Sequence, residues 1–124
     1  MLIIDTQTQD ITIDSGCQEK VRFTLTNSDG TPYNGVGALI RFVVKESRDD
    51  LLTAAKVNVD STTNPTQFDV TQLNLGIVDV EFLPSNTSAL GGKTYHYGLG
   101  VVDTGGKPHE PRSAFFTVRR RIAA

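Results

Sequence analysis

Two carboxylates two residues apart, Asp79 and Glu81, are the first residues in this chain that could do chemistry. On a strand they share one face, and such a pair can serve as acid and base in glycoside hydrolysis. Any solvent-facing strand shows the same spacing, so the pair does not by itself make a catalytic site. His96 and His109 are too few for a His-rich metal centre, and no His-Glu-x-x-His, Cys-x-x-Cys or EF-hand spacing accompanies them. Asp49-Asp50 could hold Ca²⁺ with carbonyl help. Nothing else supplies oxygen ligands at regular spacing, so a solvated polar tip is expected there. No Gly-x-Ser-x-Gly elbow appears. Cys17 is the single cysteine, which excludes an internal disulfide framework and reads as a small, half-buried apolar residue. Tyr33, Tyr95 and Tyr97 could form a carbohydrate platform, but there is no tryptophan. Tyr95 and Tyr97 share a face with Leu99, which points to packing. The expectation is therefore no enzyme, no catalytic residue, no cofactor and no metal.

Arg119-Arg120-Arg121 is the only basic run. It reads either as a contact for an acidic neighbour or as a solvated strand end that blunts an exposed edge. Nucleic-acid binding would need a wider basic stripe with interleaved aromatics. Here 12 Lys and Arg are set against 14 Asp and Glu, for a formal net charge of -2. No apolar run approaches the roughly 20 residues of a membrane span. Met1–Asp5 is too short for a secretory h-region. Without a secretion signal the Asn86-Thr87-Ser88 acceptor pattern carries no weight. Neither nucleic acid nor membrane is expected as a partner.

These residues sit on a β-rich frame. The 124 residues argue for one domain, 1–124, with a short N-terminal arm over 1–9. A domain of this size buries roughly two-thirds of its unfolded surface, enough for one core without staples. The hydrophobic fraction of 38% suits a thin sandwich with wet outer faces. Strands are expected at Ile11–Ile13, Val21–Thr26, Ala38–Lys45, Thr53–Val59 (weaker), Gln67–Val70 (a short edge), Gly76–Phe82, and around the glycine turn Thr104–Pro108. Within them Phe23, Leu25, Ile40, Phe42, Val44, Val57, Val59, Val78, Val80 and Phe82 point inward. Val43 breaks its polar face, as if covered by a loop or a partner. Asn27–Gly35 is dense turn chemistry. Pro84–Leu90 is expected to form one helical turn, capped by Ser85, with Leu90 dropping into the core. Six or more strands at this spacing argue for a two-sheet sandwich or a small barrel.

Two features bear on contacts. On the Tyr95–Val101 strand one face carries His96, Gly98, Gly100 and Val102. Two glycines on one face weaken a strand unless something comes close to the backbone. Either Phe115 lies over them within the domain, or Gly98, Gly100 and Phe115 form a flat docking face for a neighbour. Leu2, Ile3 and Ile4 form an apolar arm, read as an extra edge strand or as a reach onto a neighbour.

The motifs follow one another in a distinctive order. Asp14-Ser15-Gly16 is followed by Asn27-Ser-Asp-Gly-Thr-Pro-Tyr-Asn-Gly35, an Ile-Arg-Phe-Val-Val-Lys strand, Val78-Asp-Val-Glu-Phe82, Ser88-Ala-Leu-Gly-Gly-Lys-Thr-Tyr-His-Tyr97 and Asp103-Thr-Gly-Gly-Lys107. This resembles the small immunoglobulin-like domain of tailed-phage virion proteins, best known as the N-terminal domain of baseplate upper proteins. Asp29-Gly30-Thr31-Pro32 and Tyr95-x-Tyr97-x-Leu99-x-Val101-x-Asp103 carry the likeness. The chain departs at Arg112-Ser113, where the family often places glycine. The resemblance implies an all-β, immunoglobulin-like antiparallel β-sandwich. It implies a non-enzymatic structural protein of a tailed bacteriophage virion, made in the host cytoplasm and binding other capsid, neck or tail proteins. It also implies a homo-oligomer or repeated subunit in a symmetric assembly. Baseplate upper proteins continue into long C-terminal regions and this sequence stops at Ala124. A capsid decoration or a neck, tail or baseplate accessory is therefore expected. The competing class is a carbohydrate- or receptor-binding module.

Overall fold

The computed structural model describes residues 3–5, 10–16, 18–88, 90 and 92–119. Nine strands follow in chain order: β1 (Ile3–Asp5), β2 (Ile11–Asp14), β3 (Glu19–Asn27), β4 (Leu39–Lys45), β5 (Val57–Asp60), β6 (Phe68–Asp69), β7 (Ile77–Phe82), β8 (Thr94–Val102) and β9 (Pro108–Arg119). They form two sheets, ordered β1-β3-β7-β6 and β2-β9-β8-β4-β5. β1 belongs to the first sheet and β2 to the second. β1 adds to β3 as an antiparallel edge, Ile3 opposite Asn27. β2 runs parallel to β9, Ile11 opposite Phe116. That pair departs from the all-antiparallel expectation; the remaining described pairs are antiparallel. The strand order is that of an immunoglobulin-like β-sandwich.

Alternation built these sheets. Phe23, Leu25, Ile40, Phe42, Val44, Val78, Val80, Phe82, Leu99 and Phe116 are buried completely between the two layers. Phe42 is the hub: its ring stacks on Tyr97 at 5.1 Å, meets Phe82 edge-on at 4.9 Å and Phe116 at 5.9 Å, and lies 6.2 Å from Phe23. Such pairs contribute about 0.5–1.5 kcal/mol each beyond the area they bury.

Two expected elements are corrected. The strand over residues 53–59 begins only at Val57. β4 ends at Lys45, and Lys56 N–H already donates to Val44 O, so earlier residues have no partner strand. Leu52–Ala54 closes a 3₁₀ turn instead. The helical turn α1 spans Pro84–Thr87, and Ser85 does not cap it. Asn86 Oδ1 does, accepting from Leu83 N–H at 2.8 Å and from the buried Gln67 Nε2 at 2.9 Å. The sequon asparagine is thus a structural residue. Leu90 packs half-buried against the core, as expected.

The turns follow their chemistry. Gly76, at φ 78°, approaches β3 so closely that a Cβ there would stand 2.1 Å from Leu25 O. After β8, Asp103 Oδ1 accepts from Gly105 N–H at 3.0 Å and Lys107 N–H at 2.9 Å. Among the described residues no helix is long and apolar enough to cross a membrane.

Candidate functional site

The outer face of the five-stranded sheet carries a concavity. Its centre is β8, whose buried Tyr95, Tyr97, Leu99 and Val101 alternate with His96, Gly98, Gly100 and Val102. Register aligns these with the flanking strands. Gly98 lies between Val43 of β4 and Ser113 of β9, Gly100 beside Arg41, and His96 between Lys45 and Phe115. Missing side chains on the central strand, between long ones on its neighbours, leave a groove of about 560 Å³. Arg41, Lys45, Arg48, Leu52 and Glu110 bound it.

The flat face expected from Gly98, Gly100 and Phe115 is therefore concave. Phe115 does not lie over the glycines either. The register sets it opposite His96, with ring centroids 5.2 Å apart, and 49% of its surface stays exposed. The group that approaches Gly98 is the Glu110 carboxylate, whose Oε1 lies 2.6 Å from where a Cβ would stand. At Gly100 a Cβ would meet only ordinary contacts at 3.9 Å. Close approach thus occurs at the first glycine and not at the second, and there it comes from the movable end of a side chain. Val43, which breaks the polar face of β4, is half-buried and lines this groove.

The charge of the groove is mainly positive. Lys45 Nζ donates to Asp50 O at 2.8 Å. Arg41 Nη2 stands 4.0 Å from Asp60 Oδ2, the limit of an ion pair, and its Nε is buried without a hydrogen-bond partner among the described residues. Hydrogen bonds from the Thr63 and Thr62 N–H groups hold the Asp60 carboxyl below the usual range, with Arg41 adding a smaller share. At one end of the groove His109 Nε2 meets Asp103 Oδ2 at 3.1 Å. The bond from Lys107 N–H, then the one to His109, lowers the Asp103 carboxyl.

The remaining candidates are scattered. Asp79 takes two bonds from Arg22, at 2.9 and 3.2 Å, and Glu81 accepts from Gln18, both on the outer face of the other sheet. Asp50 Oδ2 accepts from Ser47 N–H at 3.1 Å within the polar tip. No group of three or more His, Cys, Asp or Glu that could hold a metal occurs among the described residues. Tyr95 and Tyr97 are buried in the core and offer no sugar platform. Arg119 Nε donates to Asp14 Oδ1 at 3.0 Å, tying β9 to β2. Ile3 and Ile4 lie on the edge strand β1. Leu2, Cys17, Arg120 and Arg121 lie outside the described residues.

Sequence reasoning singled out Gly98, Gly100 and Phe115 but missed the walls, Arg41, Lys45, Arg48 and Glu110. A signal existed for two of them. Arg41 and Lys45 flank Val43 on the outward face of β4, the strand whose broken polar face already suggested a cover.

No family model matches the chain, and no curated protein matches it. Among solved structures it is similar to CopC from Methylosinus trichosporium OB3b, with TM-score 0.51 and 11% identity over 96% of this chain and 95% of that one. Murine CRIg gives 0.45 and 14%, over 96% and 98%. The fibronectin(III)-like modules of Clostridium thermocellum CbhA give 0.44 and 10%, over 96% and 98%. The CopC likeness, at 11% identity, extends to the fold alone, the same sandwich that the strand order describes.

Proposed function

We propose that this chain is a non-enzymatic structural subunit of a tailed-bacteriophage virion, docking on neighbouring virion proteins through the outer face of β9-β8-β4. The reading rests on the family resemblance of its turn and strand motifs. The observation that carries the docking face is Phe115, a large apolar side chain left 49% exposed in mid-sheet beside a groove. Exposed aromatics beside a concavity are typical anchors of protein contacts. Repetition of the subunit in a symmetric shell or tail would multiply a modest contact into a stable one. Its place would be the virion, reached from the host cytoplasm, and its partners other capsid, neck or tail proteins, with self-association as a repeated subunit.

Quantitative mass spectrometry of gradient-purified particles from the source tests this, scaled to the major capsid protein. A ratio near unity identifies a capsid decoration protein. A ratio of a few per cent places the chain in the neck, tail or baseplate. Complete absence overturns the virion reading. It would leave the carbohydrate- or receptor-binding alternative, which the size of the groove favours and the burial of Tyr95 and Tyr97 disfavours.

A further inference from the structure

We infer that the groove over Gly98 and Gly100 receives an acidic segment of the partner protein, one apolar side chain entering the groove and flanking carboxylates meeting Arg41, Lys45 and Arg48. The inference deepens the docking reading above and rests on it.

Three observations carry it. First, the charge of the groove opposes that of the chain. Arg41, Lys45 and Arg48 line the groove with one carboxylate, Glu110, and Asp60 outside it reaches Arg41 only at 4.0 Å, in a protein whose acidic residues outnumber its basic ones by 14 to 12. Opposite charges across an interface set partner choice and association rate. Second, the floor already holds a carboxylate of this chain. Glu110 Oε1 occupies the space above Gly98, in the row between Val43 of β4 and Ser113 of β9. An acidic group therefore fits there, and Glu110 is the end of an exposed, flexible side chain that can swing away. Third, the groove has apolar contact surface where a side chain would enter. Val43 lines its floor edge and Leu52, 43% exposed, its rim. β8 is paired on both sides, so a bound segment gains little from strand addition there. Recognition must come from side chains, which makes the cationic wall and the glycine floor decisive.

Glu110 shares the groove with these cations, and its negative charge opposes an acidic partner there. This gives a signature that a merely structural role would not produce: removing its charge tightens binding. The test is a titration of the isotope-labelled full chain, followed by amide resonances. The probe is a short peptide with a central leucine between aspartates, and its lysine counterpart is the control. The expected result is that the aspartate peptide shifts Gly98, Gly100 and Ser113 and the lysine peptide does not. Arg48→Glu, on an exposed loop, should weaken the aspartate peptide about fivefold, and Glu110→Gln should tighten it about threefold, both effects fading with salt. The inference is overturned if the aspartate peptide moves none of these resonances at millimolar concentration, if the lysine peptide moves them equally, or if Glu110→Gln weakens binding. Concentration-dependent shifts of the same residues without peptide would assign the groove to a second copy and likewise overturn it. The virion reading fails separately. Particles that contain the protein, with no peptide binding, remove only the acidic occupant. Peptide binding by a protein absent from particles removes only the virion.

Discussion

The two outer faces of the sandwich are built from the same alternating pattern and end in opposite conditions. On the four-stranded sheet, register places Lys20 opposite Glu81 and Arg22 opposite Asp79. Arg22 grips Asp79 with two hydrogen bonds. Facing opposite charges stabilise a strand pair and complete the surface from within. On the five-stranded sheet, the rows read Val43–Gly98–Ser113 and Arg41–Gly100, so no carboxylate stands opposite Arg41 on β8, and it faces Asp60 of β5 instead, at the 4.0 Å limit of an ion pair. The four-stranded face pairs its charges in its middle rows. The other pairs its charges at the rims, Arg41 with Asp60 and Arg119 with Asp14, and leaves a glycine-floored groove and the exposed Phe115 between them. Paired charges do not separate the two faces; the side chains missing at Gly98 and Gly100 do.

The two faces share one core, so the largest change should strike both together. Phe42→Ala removes the ring that touches Phe23, Tyr97, Phe82 and Phe116 at zero exposure. The expected loss is about 3–5 kcal/mol in urea unfolding. A cost below about 1 kcal/mol would mean that the sheets do not meet at this residue as described. Next comes a change confined to the self-satisfied side. Gly76→Ala meets both a positive φ and the Leu25 carbonyl at 2.1 Å, where β3 and β7 join. It should cost more than about 1 kcal/mol. Hydrogen exchange should rise first at Leu25, whose N–H donates to Gly76 O at 2.7 Å. Equal loosening of β8 and β9 would argue against separate faces.

How much of this was legible follows from the same distinction. Period-two alternation fixes which residues point inward, so Phe23, Phe42, Val78, Val80, Phe82 and Tyr97 were readable as core. It cannot fix partners that lie far apart in sequence. The parallel β2–β9 pair joins residues about as distant as the chain allows, and no local pattern encodes it. The groove was half legible. Gly98 and Gly100 signalled a close approach, but the approaching group was missed because β8 and β9 shift register between Leu99 and Val101. Counted strictly back from the glycine turn, Gly98 would face Arg112 and His96 would face Ala114. The irregularity puts Ser113 and Phe115 there instead, and leaves Glu110 to lean across the floor. A bulge of this kind re-aims side chains without leaving a reliable mark in composition.

Acid should loosen the turn beside the groove. Asp103 has a depressed folded-state pKa, first through Lys107 N–H and then through His109. A carboxylate depressed in the folded state binds more protons unfolded. Its contribution is complete above the unfolded value of about 3.9 and is lost as pH falls through the folded one. Asp29, Asp60 and Asp69 are depressed in the same direction by threonine hydrogen bonds in their own turns. Stability should therefore fall steadily below about pH 4. Asp103→Asn should make that slope shallower and speed exchange at Gly105 and Lys107. An unchanged slope would remove Asp103 from the set and leave the acid sensitivity to the other turns.

The smallest expected effect is the most discriminating. Phe115→Ser truncates an aromatic that is 49% exposed, against a partner ring, His96, at 5.2 Å. Nothing in the core depends on it, because Phe115 alternates with the buried Phe116 and points away from the other sheet. Unfolding free energy should move by no more than about 0.5 kcal/mol, the usual range for a surface substitution. If the outer face of β9-β8-β4 is a docking surface, incorporation into purified particles should nevertheless drop. A loss of stability comparable to that of a buried phenylalanine would mean that Phe115 belongs to this domain's own packing. An unchanged stability with undiminished incorporation would move the contact elsewhere, to the edges or loops of the sandwich. Only unchanged stability with reduced incorporation supports the contrast between a face that completes itself and one completed by a neighbour.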